Sequence, residues 1–154
     1  MSMNKGLILG ALCLVVIFIS LTVWSGLESA ERATVTANDI ELSVRLADNQ
    51  WERARGLSGF TAEEVGAQGM LFVFKDAEVR EFWMKGMNLD LDVLWINDGK
   101  IVALDKGVQA PEPGEEPVRM TSKPVPVDMV LEVPAGYAQQ FDLNPGTLLK
   151  IQLP

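Results

Sequence analysis

The stretch LDVLWINDGKIVAL, residues 91–104, contains two apolar segments joined by a short polar turn. Residues 91–96 and 101–104 are rich in the branched and aromatic side chains that β-strands favour. Asp98-Gly99 stands between them, and an Asp-Gly pair in this position is a strong marker of a tight β-hairpin. The stretch therefore predicts two antiparallel strands and makes a β fold the first hypothesis for the chain.

Further strand signals lie on both sides of this hairpin: residues 40–47, 70–74, 81–85, 128–133 and 148–153. Only short helices are indicated, namely one at 51–55 capped by Asp48, one opened by the capping box of residues 61–64, and a turn near 137–141. Trp51, Trp95, Met70, Phe72, Phe74 and Met87 are predicted to be core or cap residues. We predict a mainly β fold, a compact sandwich or small barrel with short capping helices.

Residues 6–27 form a run of 22 positions without a charged side chain. As a helix rising ~1.5 Å per residue the run reaches about 33 Å, which is enough to cross a hydrocarbon core of ~30 Å. We therefore predict one N-terminal transmembrane helix within residues 1–27 that acts as an uncleaved signal anchor. A cleaved signal peptide is the alternative because Lys5 supplies a positive n-region, although a run of this length exceeds the usual h-region.

The flanks of the apolar run predict its orientation. Lys5 precedes it, and the acidic residues Glu28 and Glu31 accompany Arg32 on its far side. This favours a single-pass protein of the cytoplasmic membrane whose C-terminal domain lies outside the cytoplasm, in the periplasm or the extracellular space. The polar residues 28–38 are predicted to be a linker, and residues 39–154 the folded domain.

Composition excludes several classes of function. Of the 13 basic residues 12 lie after position 27, as do all 21 acidic residues, which gives that part a formal charge of −9. Such a surface repels phosphates, so we expect no nucleic-acid partner. The chain has no histidine, and its single cysteine, Cys13, lies in the apolar run. Because histidine, the commonest general base and zinc ligand, is missing, we expect no metal and no cofactor. Because there is only one cysteine, we expect no disulfide within the chain.

A long loop is predicted at residues 109–126, which contain five of the eight prolines. Structureless loops longer than about 12–15 residues are uncommon unless they are functional or disordered. Two interpretations stay open: a mobile, solvated loop, and a lid or partner-contact loop.

Five sequence blocks follow one another in a characteristic order: ERARGL at 52–57, GMLFVF at 69–74, FWMK at 82–85, LD at 91–92 and LEVPAG at 131–136. In this order they resemble the DUF192 family, small exported or membrane-anchored domains of bacteria and archaea with no established activity. The resemblance covers residues 40–151 and implies a compact, mainly β domain. Gly86 and Asp90 depart from the residues usual in the family. The two loop cysteines of many members are absent, so a metal or redox role through them does not transfer.

Five residues are candidates for a ligand-binding site: Arg55, Trp83, Lys85, Asp90 and Asp92. Trp83 and Lys85 share one face of a predicted strand, and the two aspartates share one face of the next. In one interpretation Arg55 and Lys85 bind an anionic group, Trp83 stacks on the ligand, and Asp92 orients the cations. In the other, Asp92 forms a half-buried structural ion pair with Arg55 or Lys85.

The aspartate pair also permits an enzymatic interpretation. Side chains two positions apart on a strand stand ~7 Å from each other, so Asp90 and Asp92 are spaced to hold a divalent cation or to serve as acid and base. This spacing is common, and we assign no catalytic residue. The leading hypothesis is a non-catalytic, membrane-tethered extracytoplasmic domain that binds a small ligand or an envelope protein. A hydrolase using the two aspartates, and a purely structural envelope component, are the alternatives.

Overall fold

A computed structural model describes residues 31–66 and 69–154. The strands in chain order are β1 (Arg32–Ala37), β2 (Ile40–Ala47), β3 (Met70–Glu78), β4 (Glu81–Trp83), β5 (Leu91–Asn97), β6 (Lys100–Val108), β7 (Arg119–Thr121), β8 (Val127–Pro134) and β9 (Lys150–Gln152). The helices are α1 (Gln50–Arg55), α2 (Ala62–Val65) and α3 (Tyr137–Gln140). The predicted membrane anchor lies outside the described residues, and within them no helix is long and apolar enough to span a bilayer.

Seven strands form one sheet in the order β6-β5-β8-β3-β2-β1-β9, and β4 pairs with β7 in a separate two-stranded ribbon. Neighbours in the sheet are antiparallel except for the parallel pair β2–β3. The sheet curls into a half-barrel, because residues 146–149, just before β9, form backbone hydrogen bonds of 2.7–3.0 Å with residues 99–101 at the opposite edge. The mainly β class, the short helices and the β5–β6 hairpin are thus confirmed.

Alternate residues of the central strands enter two apolar clusters on opposite faces of the sheet. On β5, Leu94 and Ile96 belong to the first cluster, whereas Val93 and Trp95 belong to the second. We call these clusters the first core and the second core. The second core also contains residues of the ribbon and of the segment after α1, so both faces of the central strands are covered.

The predicted linker is wrong for residues 32–37, which form β1 and pair with both β2 and β9. Ala33, Val35 and Ala37 are buried and alternate with more exposed residues. The alternation is carried largely by alanine, whose small apolar side chain gives a weak periodic signal. The β-branched residues Thr34 and Thr36 were the better indication of a strand.

Part of the predicted loop at 109–126 is also ordered as a strand. β7 pairs with β4, and its central residue, Met120, is buried in the second core. A strand of three residues is too short for its alternation to be recognised in a sequence.

The helix caps and core residues agree with the sequence in most places. Thr61 and Glu64 form the predicted capping box. Asn49, rather than Asp48, caps α1, because its side-chain oxygen accepts the Glu52 N–H at 3.0 Å. Trp95, Met70, Phe72 and Met87 are buried as predicted, and Phe74 is partly buried. The prediction for Trp51 is wrong, since this side chain on α1 is 87% exposed.

Candidate ligand-binding site

A cavity of about 710 Å³ lies beside the second core. It is lined by α1 and the residues that follow it, by β3, by the β3–β4 turn and β4, by residues 85–87, and by one residue of β8. Protein sites for small organic molecules have volumes of about 300–1,000 Å³. The cavity therefore has the size of a small-ligand site.

Three phenylalanines, Phe72, Phe74 and Phe82, give the cavity an apolar wall. The ring of Phe82 meets the rings of Phe72 and Trp95 edge-on, at centroid distances of 5.0 and 5.6 Å, and that of Phe74 at 6.4 Å. Perpendicular ring pairs at such distances contribute about 0.5–1.5 kcal/mol each beyond the area that they bury. The wall is therefore a packed aromatic cluster with a defined shape.

Four cationic side chains line the cavity: Arg53, Arg55, Arg80 and Lys85. Arg80 forms an ion pair with Glu78 at 3.0 Å, and its guanidinium group lies 4.1 Å from the Phe74 ring centroid. Arg53 donates to the backbone carbonyl of Val73 at 3.0 Å and also lies over the Phe74 ring. Both arginines are thereby held in place.

The side chains of Arg55 and Lys85 form no hydrogen bond or ion pair with any residue of the described chain. Arg55 lies 4.8 Å from the Phe60 ring centroid, and Lys85 Nζ lies 5.2 Å from that of Trp83. Both side chains are exposed, so their donors are available to a ligand. The acidic residue Glu81 at the same cavity is already paired with Arg119. A cationic cavity thus occurs in an acidic domain, and it favours anionic ligands.

The cavity also contains a buried carboxyl group, that of Glu132 on β8. In the sheet register Glu132 stands between Met70 of β3 and Val93 of β5, and its exposed fraction is 5%. Desolvation by burial raises the pKa of Glu132 to about 8. At neutral pH this side chain is therefore mainly the uncharged acid, which can donate one hydrogen bond.

No group in residues 31–66 or 69–154 forms a hydrogen bond with the Glu132 carboxyl group, and burial alone accounts for its raised pKa. The backbone of Glu132 is nevertheless tightly held. Gly69, with φ +78°, approaches so closely that a Cβ atom there would stand 1.9 Å from the Glu132 carbonyl oxygen. The position of this acid is fixed by the sheet, while its functional group is left without a partner in the described chain.

The structure brings together three of the five residues predicted as a site. Arg55, Trp83 and Lys85 line the cavity, whereas Asp90 and Asp92 do not. The grouping arises because the segment after α1 and the strand β4, which are distant in sequence, both pack in the second core, through Leu57 and Phe82.

The predicted ion pair between Asp92 and Arg55 or Lys85 is wrong. Asp92 Oδ1 accepts the Gly107 N–H at 2.8 Å, and Oδ2 accepts the N–H groups of Gly136 and Ala138, both at 2.9 Å. The side chain shares a strand face with Leu94 and Ile96 and therefore lies on the face opposite the cavity. Backbone donors replace the expected cation.

Asp90 likewise binds the backbone, accepting the Ala110 N–H at 2.8 Å. The hydrolase alternative requires Asp92 to reach a substrate, and its buried, fully bonded carboxylate does not. In the described residues no group of three or more acidic or cysteine side chains is arranged to hold a metal ion.

Sequence reasoning missed Arg53, Arg80 and Glu132 as cavity residues, and Glu132 was the hardest of them to find. The only signal is a lone glutamate between Leu131 and Val133 in the LEVPAG block. Alternation places it on the same strand face as Asp128, which makes that face look solvent-exposed. The sequence does not show that other segments cover this face.

These features define a class of domain: a curled β half-barrel with a ligand-sized, cationic and aromatic cavity that contains a buried acid. The chain belongs to the DUF192 family, whose description is "Uncharacterized ACR" and whose family model matches residues 33–151. A search of the curated proteins found no match.

Two solved structures resemble this one. The first is a Sinorhizobium meliloti 1021 protein described as a "putative transcription regulator", with 30% sequence identity and a TM-score of 0.65 over 78% of this chain and 92% of that one. The second is a protein of unknown function from Novosphingobium aromaticivorans, with 27% identity and a TM-score of 0.61 over 77% of this chain and 83% of that one. Both extend the fold assignment to nearly the whole described domain.

Proposed function

We propose that this protein is a non-catalytic binding domain whose cavity takes a small organic anion. The observation that carries the proposal is a cationic cavity of about 710 Å³ with an aromatic wall in an otherwise acidic domain. Arg55 and Lys85 supply charged hydrogen-bond donors to the anionic group of the ligand, since neither forms a salt bridge within the described chain. The phenylalanine wall accommodates the apolar part, and Trp83 stacks on it near the solvent.

The proposal includes a membrane tether. The support is the uncharged run at residues 6–27, which is long enough to span a bilayer, and the charges on its flanks, which favour a binding domain on the outer side of the cytoplasmic membrane. The full-length protein is expected to stay with membranes through salt and carbonate washes. Mature protein that begins near Gly26 and appears in the soluble fraction would contradict the anchor.

Titration calorimetry with 2-naphthoate tests the binding function. This probe combines a carboxylate with an apolar aromatic body, and 2-naphthylmethylammonium is its cationic counterpart. We expect the naphthoate to bind and the ammonium compound not to bind. Arg55→Ala and Lys85→Ala should each weaken naphthoate binding about tenfold or more, because hydrogen bonds to charged groups contribute about 1.5–3 kcal/mol.

Lys150→Ala provides the matched control, since Lys150 is an exposed cation on β9 that does not line the cavity. It should leave naphthoate binding unchanged. Equal affinity in all three variants, or equal binding of the two probes, would show that the cationic side chains do not select the ligand.

An envelope protein is the second candidate partner, and an exposed apolar patch favours it. Val79 and Trp83 at the cavity and Val118 beside the ribbon are all substantially exposed. Val118 does not line the cavity, although its carbonyl accepts the Met84 N–H at 2.9 Å. Under this candidate Val118→Ser abolishes in vivo cross-linking to an envelope protein while naphthoate binding is retained. Unchanged cross-linking would count against it.

A further inference from the structure

We propose that Glu132 sets the ligand specificity of the cavity by selecting organic anions that carry a hydrogen-bond acceptor at the end remote from their charge. The inference rests on the proposed function of the same cavity and adds the chemical class of its ligand. It also gives a role to a buried acid that no structural contact explains.

The exposure of the lining residues orients such a ligand. Arg55, Trp83 and Lys85 are exposed, whereas Glu132 is buried against the second core. The charged end of a ligand therefore belongs near the solvent, beside the two cations. Its apolar body follows the phenylalanine wall, and its remote end reaches Glu132.

The chemistry at the buried end requires an acceptor. The protonated carboxyl group of Glu132 carries an O–H donor, and no acceptor for it is provided by the residues that the structure describes. A ligand that fills the cavity removes this donor from water, and a donor left unpaired in that way is costly. A ligand carbonyl or ether oxygen at this point accepts its hydrogen bond. An aliphatic group in the same place leaves the donor unsatisfied.

The other charged groups of the cavity disfavour a cationic ligand. Arg53 and Arg55 come from α1, Arg80 and Glu81 from the β3–β4 turn and the start of β4, and Lys85 follows β4. Four of these five groups are cationic, and Glu81 is paired with Arg119. A cationic amine would therefore meet positive charge at the open end and an uncharged acid at the closed end.

Two matched probes test this specificity: 6-acetyl-2-naphthoate and 6-isopropyl-2-naphthoate. They share the carboxylate and the ring and differ in one carbonyl oxygen, so the ratio of their affinities isolates the acceptor. We expect the wild-type protein at pH 6.5 to bind the acetyl compound at least tenfold more tightly. At pH 9.5 the ionised Glu132 no longer donates, and the preference should disappear.

Two variants separate the proton of Glu132 from its shape. Glu132→Gln retains a donor that cannot ionise, so its preference for the acetyl compound should persist at both pH values. Glu132→Leu has no donor and should show no preference at either. Both variants should remain folded, which a thermal melt verifies, because no described group depends on the Glu132 carboxyl group for a hydrogen bond.

The outcomes distinguish failure of this inference from failure of the proposed binding function on which it rests. If the wild-type protein binds both probes equally, and Arg55→Ala weakens both, the cavity binds anions but Glu132 does not select them. A preference that survives in Glu132→Leu overturns the inference in the same way. If neither naphthoate binds, the proposed function fails and the inference fails with it.

Discussion

Asp92 and Glu132 have buried side chains on neighbouring strands, but they differ in their hydrogen bonding. Asp92 on β5 is 1% exposed and accepts three backbone hydrogen bonds on the side of the first core. Glu132 on β8, paired in register with Val93, is 5% exposed and accepts none from the described chain. One sheet therefore contains both a fully bonded carboxylate and an unbonded acid.

The difference indicates that Asp92 serves the fold, whereas the carboxyl group of Glu132 remains available to a ligand. A buried carboxylate is stable only where its charge is compensated, and backbone donors of three residues provide that compensation for Asp92. Glu132 has no such donors and remains neutral by keeping its proton, which leaves a polar group unused inside the protein. An uncompensated, titratable group in a cavity is the pattern found at binding and catalytic sites.

The largest expected effect comes from removing the bonded member of the pair. Asp92→Ala leaves the N–H groups of Gly107, Gly136 and Ala138 without their acceptor. The bond from Ala138 is buried and the other two are partly buried, and a buried orphan donor costs about 1–3 kcal/mol. We expect a loss of about 2–4 kcal/mol in the free energy of unfolding, measured by urea denaturation.

Asp90→Ala is the matched control for this substitution. Asp90 also accepts a backbone N–H, that of Ala110, but it is exposed, so water can replace it. Its loss should cost less than about 1 kcal/mol. If the two substitutions were equally costly, the three hydrogen bonds of Asp92 would not be what holds these segments together.

Glu132, the acid whose carboxyl group has no hydrogen-bond partner in the described chain, should make the free energy of unfolding depend on pH. The pKa of Glu132 in the folded protein is about 8, above the ordinary value of 4.5, so the folded state holds this proton more tightly than the unfolded state does. Its contribution to stability is therefore complete below pH 4.5, declines as the pH rises and levels off above pH 8. Between pH 5 and pH 7 we expect a loss of roughly 2–3 kcal/mol.

Urea denaturation of the wild-type protein and of Glu132→Gln across this pH range makes the measurement. The glutamine variant retains every other titratable group, so the difference between the two curves reports Glu132 alone. The wild-type stability should fall more steeply with pH. Parallel curves would mean that the acid ionises in the folded protein at an ordinary pH and is not desolvated.

The same two residues show how far the sequence alone can lead. Most strands were predictable because alternation and turn residues are local signals, as at Asp98-Gly99. The burial of Glu132 was not predictable, because it depends on the covering of one sheet face by α1, the residues after it and the ribbon. The partners of Asp92 were equally hidden, since Ala138 lies 46 positions further along the chain.

Within the cavity, Arg55, Trp83 and Lys85 were predicted together and do line one space, while their role in binding stays a prediction. The reasoning succeeded in grouping them because charged and aromatic side chains near short elements usually stay near solvent. It failed for the aspartates, because a strand pattern indicates which side chains share a face but not what covers that face.

The smallest expected effects on stability come from replacing the exposed tryptophans. They test whether Trp83, like Glu132, contributes to binding more than to stability. Trp83 is 47% exposed and lies beneath the cations of Lys85 and Arg119, at 5.2 and 5.1 Å. Exposed contacts of this kind contribute about 0.5–1 kcal/mol, so Trp83→Ala should lower the free energy of unfolding by no more than about 1 kcal/mol. Its binding of 2-naphthoate should nevertheless fall severalfold.

Trp51→Ala is the matched control, because Trp51 is even more exposed and does not line the cavity. It should change neither the stability nor the affinity for 2-naphthoate. Equal naphthoate affinities in the two variants would remove Trp83 from the site and leave the buried acid and the two free cations as its determinants.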